Sequence, residues 1–448
     1  MVAVARQVAL QTLRSVHAQG VDLAAALDRG RRTLADDRDR SLAADIAIGT
    51  LRWRGALDHA IAWAGNRSID RFDAVVLDIL RITAYQLLHL DRVPASAAVD
   101  DAVELCRLQG HPRATGAVNA ILRRINRDRS HVPMPGPDDP IGHLSVTWSH
   151  PSWLAARWLD RLGFDTALAW ARFNNAPAPV TLRANTLSIT RAELADSLDR
   201  LGVRTRPCTY APDGLLVETG HPLSMPVASE GAFLAQDEAS QLVGAFAAPR
   251  PGDRVLDACA APGGKTAQFA AAVGERGFLV AGDLRPRRMR LLRDTLTAAR
   301  VARVAIVRHN ALEGLPYADV FDSVVIDAPC SSLGTIRRDP DIRWTRREEE
   351  LAGLADRQVR MLDRASRSVR PGGCLVYATC SSEPEENEEV VEAFLAAHAE
   401  FVLEDPRTAR TPVPPGVEAC LDDRGCLRTT PHQHGLESFF AARLRRRA

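Results

Sequence analysis

The sequence predicts a multidomain protein with an all-α front, a small α+β middle and a C-terminal α/β part built on a doubly wound sheet. Three observations carry this. The chain has 448 residues, more than one ordinary domain holds. Apolar residues recur at helical spacing through roughly the first 130 positions. From about 236 onward, strand-like runs alternate with helical ones. The balance of 46% hydrophobic and 25% charged residues is that of a folded globular chain, which excludes disorder as the main state. No stretch of about 18 uncharged apolar residues occurs, so no membrane span is expected.

Residues 1–130 form the helical part. Val4, Ala5, Val8, Ala9 and Leu13 share one helical face, as do Val75, Leu77, Ile79, Leu80, Ile82 and Leu87. Gly110-His111-Pro112 is a turn signal between helices. The basic run ILRRINRDR is either a solvated helix face or an RNA contact. Pro133, Pro135, Pro137 and Pro140 cannot continue a helix, and 131–149 reads as a linker. Residues 150–235 hold helices at 153–162 and 191–201 and short strands at 180–183 and 214–217. In 236–448 the strands are placed at 254–258, 278–283, 304–309, 323–327, 374–379 and 439–444, with helices such as 265–272 and 287–299 between them. In such a fold, ligands bind outside the carboxyl ends of the strands.

The strand at 254–258 runs into DACAAPGGKT. Small residues and two glycines let backbone approach a ligand closely there. The loop fits neither the dinucleotide fingerprint nor a Walker loop. Asp283 ends the next strand, where an acid accepts hydrogen bonds from ribose hydroxyls. Together they give a nucleoside-cofactor site, with nicotinamide and S-adenosylmethionine both open. Lys265, which closes the loop, is the single lysine of a chain otherwise supplied with arginine. Eight cysteines are scattered without a CxxC pair, so no metal site is expected. The N-terminus lacks the apolar core of a signal peptide, which places the protein in the reducing cytoplasm with free thiols.

Two of those cysteines stand just past strand ends, Cys330 in DAPCSSLG and Cys380 in YATCSS. Carbon 5 of cytosine is a poor nucleophile until a thiolate adds to carbon 6. Carbon 5 then attacks an electrophilic methyl group, and loss of its proton lets the thiol depart. That chemistry needs a nucleophilic cysteine, an acid near ring nitrogen 3 and a group for release. Cys380, Cys330 and Asp327 are of the right types, and the residues alone do not rank the two cysteines.

DACAAPGGKT, VVIDAPCSSLGTIRRDPDIRW and LVYATCSSEPEENEEVV resemble the motifs of the RNA cytosine-5 methyltransferases. With LRITAYQLLHLDRVPASAAVDDAVELCR and GAVNAILRRI, which are similar to a helical NusB-like RNA-binding domain, the whole chain resembles the bacterial ribosomal RNA small subunit methyltransferase B family. The resemblance implies a C-terminal Rossmann-like class I methyltransferase domain, S-adenosylmethionine as cofactor, and methylation of carbon 5 of a cytosine in 16S rRNA, free or in an assembly intermediate. The same chemistry on tRNA is the alternative; tRNA relatives usually lack the helical front.

Carried over by motif, Cys380 is the nucleophile, Cys330 serves product release and Asp327 faces the cytosine and borders the cofactor. Cys259, Ala260, Ala261, Pro262, Gly263, Gly264 and Lys265 form the cofactor loop, Asp283 binds the ribose and Arg288 is the basic residue a turn later. Asn310 stands where the family often has an acid near the adenine, and is expected to keep that contact through its amide. Glu437-Ser438 replaces the usual Asp-Gly before the paired aromatics, with little functional loss expected. The basic front, the middle part, Arg337-Arg338 and the basic C-terminal run point to RNA, and Trp344 either stacks on RNA or packs its loop. The acids Glu383, Glu385, Glu386, Glu388 and Glu389 read as helix-dipole partners rather than metal ligands.

Overall fold

The apolar face read from Val75 to Leu87 becomes the helix Ala74–His89, buried nearly all round at the centre of the helical unit. Asp73 caps its start, accepting from the main-chain N–H groups of Val75 and Val76. The helices Val4–Gln19, Asp37–Arg52, Arg54–Gly65, Ala95–Leu108 and Thr115–Arg127 join it around one core. The computed structural model describes residues 2–409 and 411–448. It resolves two units: Met1–Pro177 with Ile336–Glu348, and Ala178–Thr335 with Glu349–Ala448.

The first unit extends past the front part expected from sequence. The segment read as a linker at 131–149 holds turns and the short helical stretches Pro140–Gly142 and His143–Thr147. The prolines do interrupt regular helix, but their carbonyls are used: Pro133 accepts from His59, and Pro135 accepts from His143 and Thr147. The helix Ser152–Asn175, assigned by sequence to the middle part, also lies in this unit. So does the segment Ile336–Glu348, which leaves the Cys330 loop and returns.

The second unit carries two sheets. β1 (Thr181–Ala184), β2 (Arg204–Pro207), β3 (Gly214–Thr219) and β4 (Phe233–Ala235) form an antiparallel sheet in the order β2-β3-β1-β4. The larger sheet contains β5 (Arg254–Asp257), β6 (Phe278–Asp283), β7 (Val304–Arg308), β8 (Phe321–Asp327), β9 (Val369–Thr379), β10 (Phe401–Leu403), β11 (Leu427–Thr429) and β12 (Phe439–Arg446). Its order is β10-β12-β9-β8-β5-β6-β7, with β11 on β12. β5 to β9 pair in parallel, while β12 runs antiparallel to β9. The strand order reverses between β5 and β8, which opens a crevice at their carboxyl ends.

The C-terminal basic run, read as an RNA feature, is largely part of this sheet. Arg443 is buried and pairs with Glu404 at 2.6 Å, Arg445 makes a two-point pair with the same carboxylate, and Arg446 pairs with Asp319. These arginines hold β12 to its neighbours and are occupied within the fold.

Candidate active site

The pairing of β8 with β9 sets Asp327 opposite Ala378, so the two strands end side by side. The loops that follow therefore meet, and the sulfurs of Cys330 and Cys380 lie 3.4 Å apart. Gly334 closes this contact: its N–H donates to the Cys380 carbonyl at 2.9 Å, and its own carbonyl accepts from the Ser438 N–H. A side chain at Gly334 would strike the Ser438 carbonyl oxygen at 2.0 Å, so only glycine fits. The Glu437-Ser438 turn is thus a support for the Cys330 loop.

On the β5 side, the loop turns through a cis Ala261–Pro262 bond, and Gly263 adopts φ 111°, a left-handed geometry that favours glycine. The helix Gly264–Val273 follows. The Lys265 ammonium reaches back across the crevice, 2.7 Å from Asp327 Oδ2 and 3.0 Å from Ser240 Oγ. Burial pulls the Lys265 pKa down, but the adjacent Asp327 carboxylate more than offsets this and the net direction is up. A cavity here is lined by Gln236, Ser240, Asp257, Lys265 and Asp327 together with Cys259 to Pro262 and Gly264. Asp257 is enclosed at the end of β5, bonded to Thr266 at 2.6 Å. Burial, with help from Asp327, pushes its pKa up to about 7.

The two cysteines titrate as a pair. A hydrogen bond from Cys330, with help from Ser332 and Lys265, draws the Cys380 pKa below that of an ordinary thiol, against the opposing effects of burial and Asp327. The same bond, burial and the Glu386 charge press Cys330 upward. Of the two thiols, Cys380 is therefore the more acidic and Cys330 the less.

Asp283, at the end of β6, accepts from Arg288 Nε at 3.0 Å and from the Arg285 N–H at 3.3 Å. Arg288 also donates to the Ala261 carbonyl at 2.5 Å and so ties the acid to the loop. Two of the four lone-pair positions of the carboxylate remain for further donors. The acid, the glycine turn and the ammonium thus bring hydrogen-bond acceptors and a donor to the strand ends around one crevice. Asn310 directly follows His309, whose N–H donates to the Asp283 carbonyl at 3.3 Å, and like Asp283 it is not among the residues lining the cavity beside Lys265. Its amide donates to Glu313 and accepts from the Leu312 N–H, closing a turn after β7.

Sequence reasoning missed Asp257, Ser240 and Gln236 as cavity residues, although all three lie in segments that carry the family resemblance, Asp257 in DACAAPGGKT and Gln236 and Ser240 in QDEASQLV. It also grouped Glu386 with exposed helix-dipole acids. Glu388 and Glu389 do occupy the first turn of the helix Glu388–Ala397, but Glu383 and Glu386 are fully buried. Arg337 and Trp344 are used within the helical unit. Arg337 stacks on Phe173 and donates to the Pro177 carbonyl, and the Trp344 indole N–H donates to the Leu51 carbonyl at 2.6 Å. Of the two readings of Trp344, packing of the loop is the one its contacts support.

Comparison with known proteins matches residues 245–445 to the family 16S rRNA methyltransferase RsmB/F, residues 3–127 to the NusB family, and residues 150–224 to the ferredoxin-like domain of RsmF/B-like methyltransferases. The ribosomal RNA small subunit methyltransferase B of Xylella fastidiosa is 36% identical over 444 residues, covering 98% of this chain and 99% of that protein. The protein of the same name from Pseudomonas syringae pv. tomato is 36% identical over 366 residues, 80% of this chain and 79% of that one. The crystal structure of PH0851 aligns with a TM-score of 0.82 at 26% identity, covering 98% of both chains.

Proposed function

Because the chain belongs to the 16S rRNA methyltransferase RsmB/F family, we propose that it methylates carbon 5 of a cytosine in 16S rRNA through a covalent Cys380 adduct. The observation that carries this reading is the pair of sulfurs 3.4 Å apart, beside the Lys265–Asp327 ion pair. S-adenosylmethionine, when bound, supplies an electrophilic methyl group. Gly263, Gly264, Asp283 and Lys265 are the residues that would hold it.

The Cys380 thiolate adds to carbon 6 of the cytosine as ring nitrogen 3 takes up a solvent proton. The Asp327 carboxylate holds that proton there by accepting a hydrogen bond, and it returns to solvent when the aromatic ring is restored. Carbon 5, now enamine-like, takes the methyl group. Once the Cys380 sulfur is bonded to carbon, it no longer accepts a hydrogen bond as a thiolate, and Cys330 releases its proton to solvent. The Cys330 thiolate then accepts the proton from carbon 5. The electrons of that C–H bond restore the ring double bond, and the sulfur–carbon 6 pair returns to Cys380. One proton leaves per methyl transferred, and the resting pair is restored.

The helical unit supplies surface for a polyanion. A groove of about 600 Å³ is lined by Arg67, Arg71, Arg113 and His111, with Asp73 as its one acid. Arg67, Arg71 and Arg113 are exposed. Such a groove suits the phosphates of RNA, which position a strand while the target base is splayed into the catalytic crevice. The substrate is met in the cytoplasm, free or in an assembly intermediate.

Bisulfite sequencing of total RNA from a deletion strain is expected to show one 16S cytosine losing its methylation. Loss confined to tRNA would overturn the substrate. With purified protein, Cys330→Ala is expected to accumulate an RNA adduct on denaturing gels. Cys380→Ala is expected to retain less than about a thousandth of the wild-type rate, as loss of the nucleophile does in covalent enzymes; full activity there refutes the mechanism.

A further inference from the structure

We propose that Glu386 is a positioning residue, whose buried carboxylate ties the Cys330 and Cys380 loops together and sets which sulfur carries the proton. This rests on the cysteine roles given above. Nothing in the motif reading assigned Glu386 more than a helix-dipole partner.

The geometry is nearly symmetric about the two loops. Glu386 Oε2 accepts from Ser331 Oγ at 2.5 Å and from Ser381 Oγ at 2.6 Å, the residues immediately after the two cysteines. Oε1 accepts from the Ser331 main-chain N–H at 2.8 Å and from Gln358 Nε2 at 2.9 Å. All four bonds are donated to the carboxylate, which is how an ionised, acceptor-only group behaves. The serine hydroxyls also lie 3.1 Å from each other. Glu386 is held in turn by the Tyr377 hydroxyl, which donates to its carbonyl at 2.6 Å, and the neighbouring Asn387 bonds both Thr379 and the Ser381 carbonyl. A full charge enclosed this way needs all its donors, because each one lost leaves a buried acceptor unsatisfied.

The charge acts on the sulfurs unequally. Lys265 and Asp327, paired at 2.7 Å, act on Cys380 with opposite signs, the ammonium lowering its pKa and the carboxylate raising it. The Glu386 carboxylate is built chiefly into the Cys330 loop: two of its four bonds come from Ser331, and Gln358, which gives a third, also donates to the Pro329 carbonyl just before Cys330 at 3.1 Å. A negative charge behind Cys330 makes its thiolate hold a proton more tightly. That serves rest and release, with Cys330 first a thiol donor to the Cys380 thiolate and then a stronger base for the carbon 5 proton. The proton loss between them, which the Glu386 charge opposes, is favoured by disappearance of the Cys380 thiolate charge in the adduct.

Glu386→Gln separates charge from hydrogen bonding. Its amide oxygen still accepts from the Ser331 N–H and Gln358, and its NH2 donates to the two hydroxyls, which rotate to accept. The test is the rate of alkylation of each cysteine by iodoacetamide against pH, read by mass spectrometry on the full chain without RNA or methyl donor. In Glu386→Gln, Cys330 is expected to give up its proton roughly one pH unit lower than in wild type, the scale of a removed like charge at close range. Ser381→Ala keeps the charge and removes one donor, so its Cys330 step is expected to stay or move up. An unmoved Cys330 step in Glu386→Gln, or a downward move in Ser381→Ala, overturns the proposal. With RNA, Glu386→Gln is expected to lower kcat and raise the steady-state adduct while leaving KM unchanged. Because alkylation needs neither substrate nor cofactor, it reads the proposal even if the methylated base proves not to be cytosine.

Discussion

Arg343 in the helical unit and Lys265 in the sheet unit are both buried cations, and their partners differ in kind. Arg343 is fully buried, and its guanidinium donates to the carbonyls of Ser149, Arg52 and Asn174 and to Asn175 Oδ1, at 2.9 to 3.3 Å. Among the described residues it makes no ion pair, and burial together with the nearby Arg52 presses its pKa well below the arginine norm. Lys265 faces a carboxylate and borders a cavity. A cation surrounded by main-chain carbonyls fixes loops in place, because its terminal NH2 groups satisfy acceptors that would otherwise be stranded. A cation facing one carboxylate in a crevice is a movable charge near reacting atoms. The contrast teaches that burial of a charge says little about its purpose until its partners are read.

The sharpest way to break this comparison is Arg343→Met, which keeps the bulk and removes every donor. Three main-chain carbonyls and one amide oxygen lose their partner, and a loss of about 3–5 kcal/mol is expected, the scale of removing one member of a buried polar set. The readout is favourable. All seven tryptophans, Trp53, Trp63, Trp148, Trp153, Trp158, Trp170 and Trp344, lie in the helical unit. Tryptophan fluorescence during urea unfolding therefore follows that unit. A midpoint equal to wild type would remove Arg343 from the structural class.

The same contrast explains what could be read from the sequence. The parallel strands were legible because apolar runs ending in turn residues alternate with helical periodicity, and β6 falls at the expected 278–283. The crevice residues were legible because they sit at strand ends. Arg337, Arg343 and Trp344 were not: they follow the Cys330 motif directly, yet their partners lie some 160 to 290 positions earlier. Arg445 looked like a free basic tail because its partner Glu404 directly follows β10, an edge strand too short to announce itself. Glu386 was hidden among similar acids, since its burial depends on Ser331, which precedes it by 55 residues.

Lys265 supplies the intermediate effect. Its positive charge favours the deprotonated Cys380, so removing it makes the thiolate form only at higher pH. Lys265→Ala is expected to move the acid limb of the rate–pH profile up by about one pH unit and to lower kcat/KM at neutral pH roughly 10- to 100-fold. The fluorescence midpoint should not move. Lys265→Arg retains charge, but its planar fork does not reproduce a compact ammonium between Asp327 and Ser240, and a partial loss is expected. An acid limb that stays in place in Lys265→Ala would put Lys265 with Arg343, as a holder of loops.

The smallest effect belongs to a third kind of cation, exposed and with no ion pair among the described residues. Arg71 and Arg113 border the groove of the helical unit without a carboxylate partner. Neither the fold nor the chemistry depends on them, so Arg113→Ala is expected to leave both the fluorescence midpoint and kcat at wild-type values. What it removes is one phosphate contact. Binding to single-stranded RNA should weaken evenly across sequences, and the slope of log affinity against log salt should fall by about 0.7. The paired change Arg71→Ala with Arg113→Ala should double that decrement, because the two contacts are independent counterion-release events. An unchanged salt slope would show that these arginines merely solvate the surface, and the groove would then lose its role as an RNA track while the buried pair of cations kept theirs.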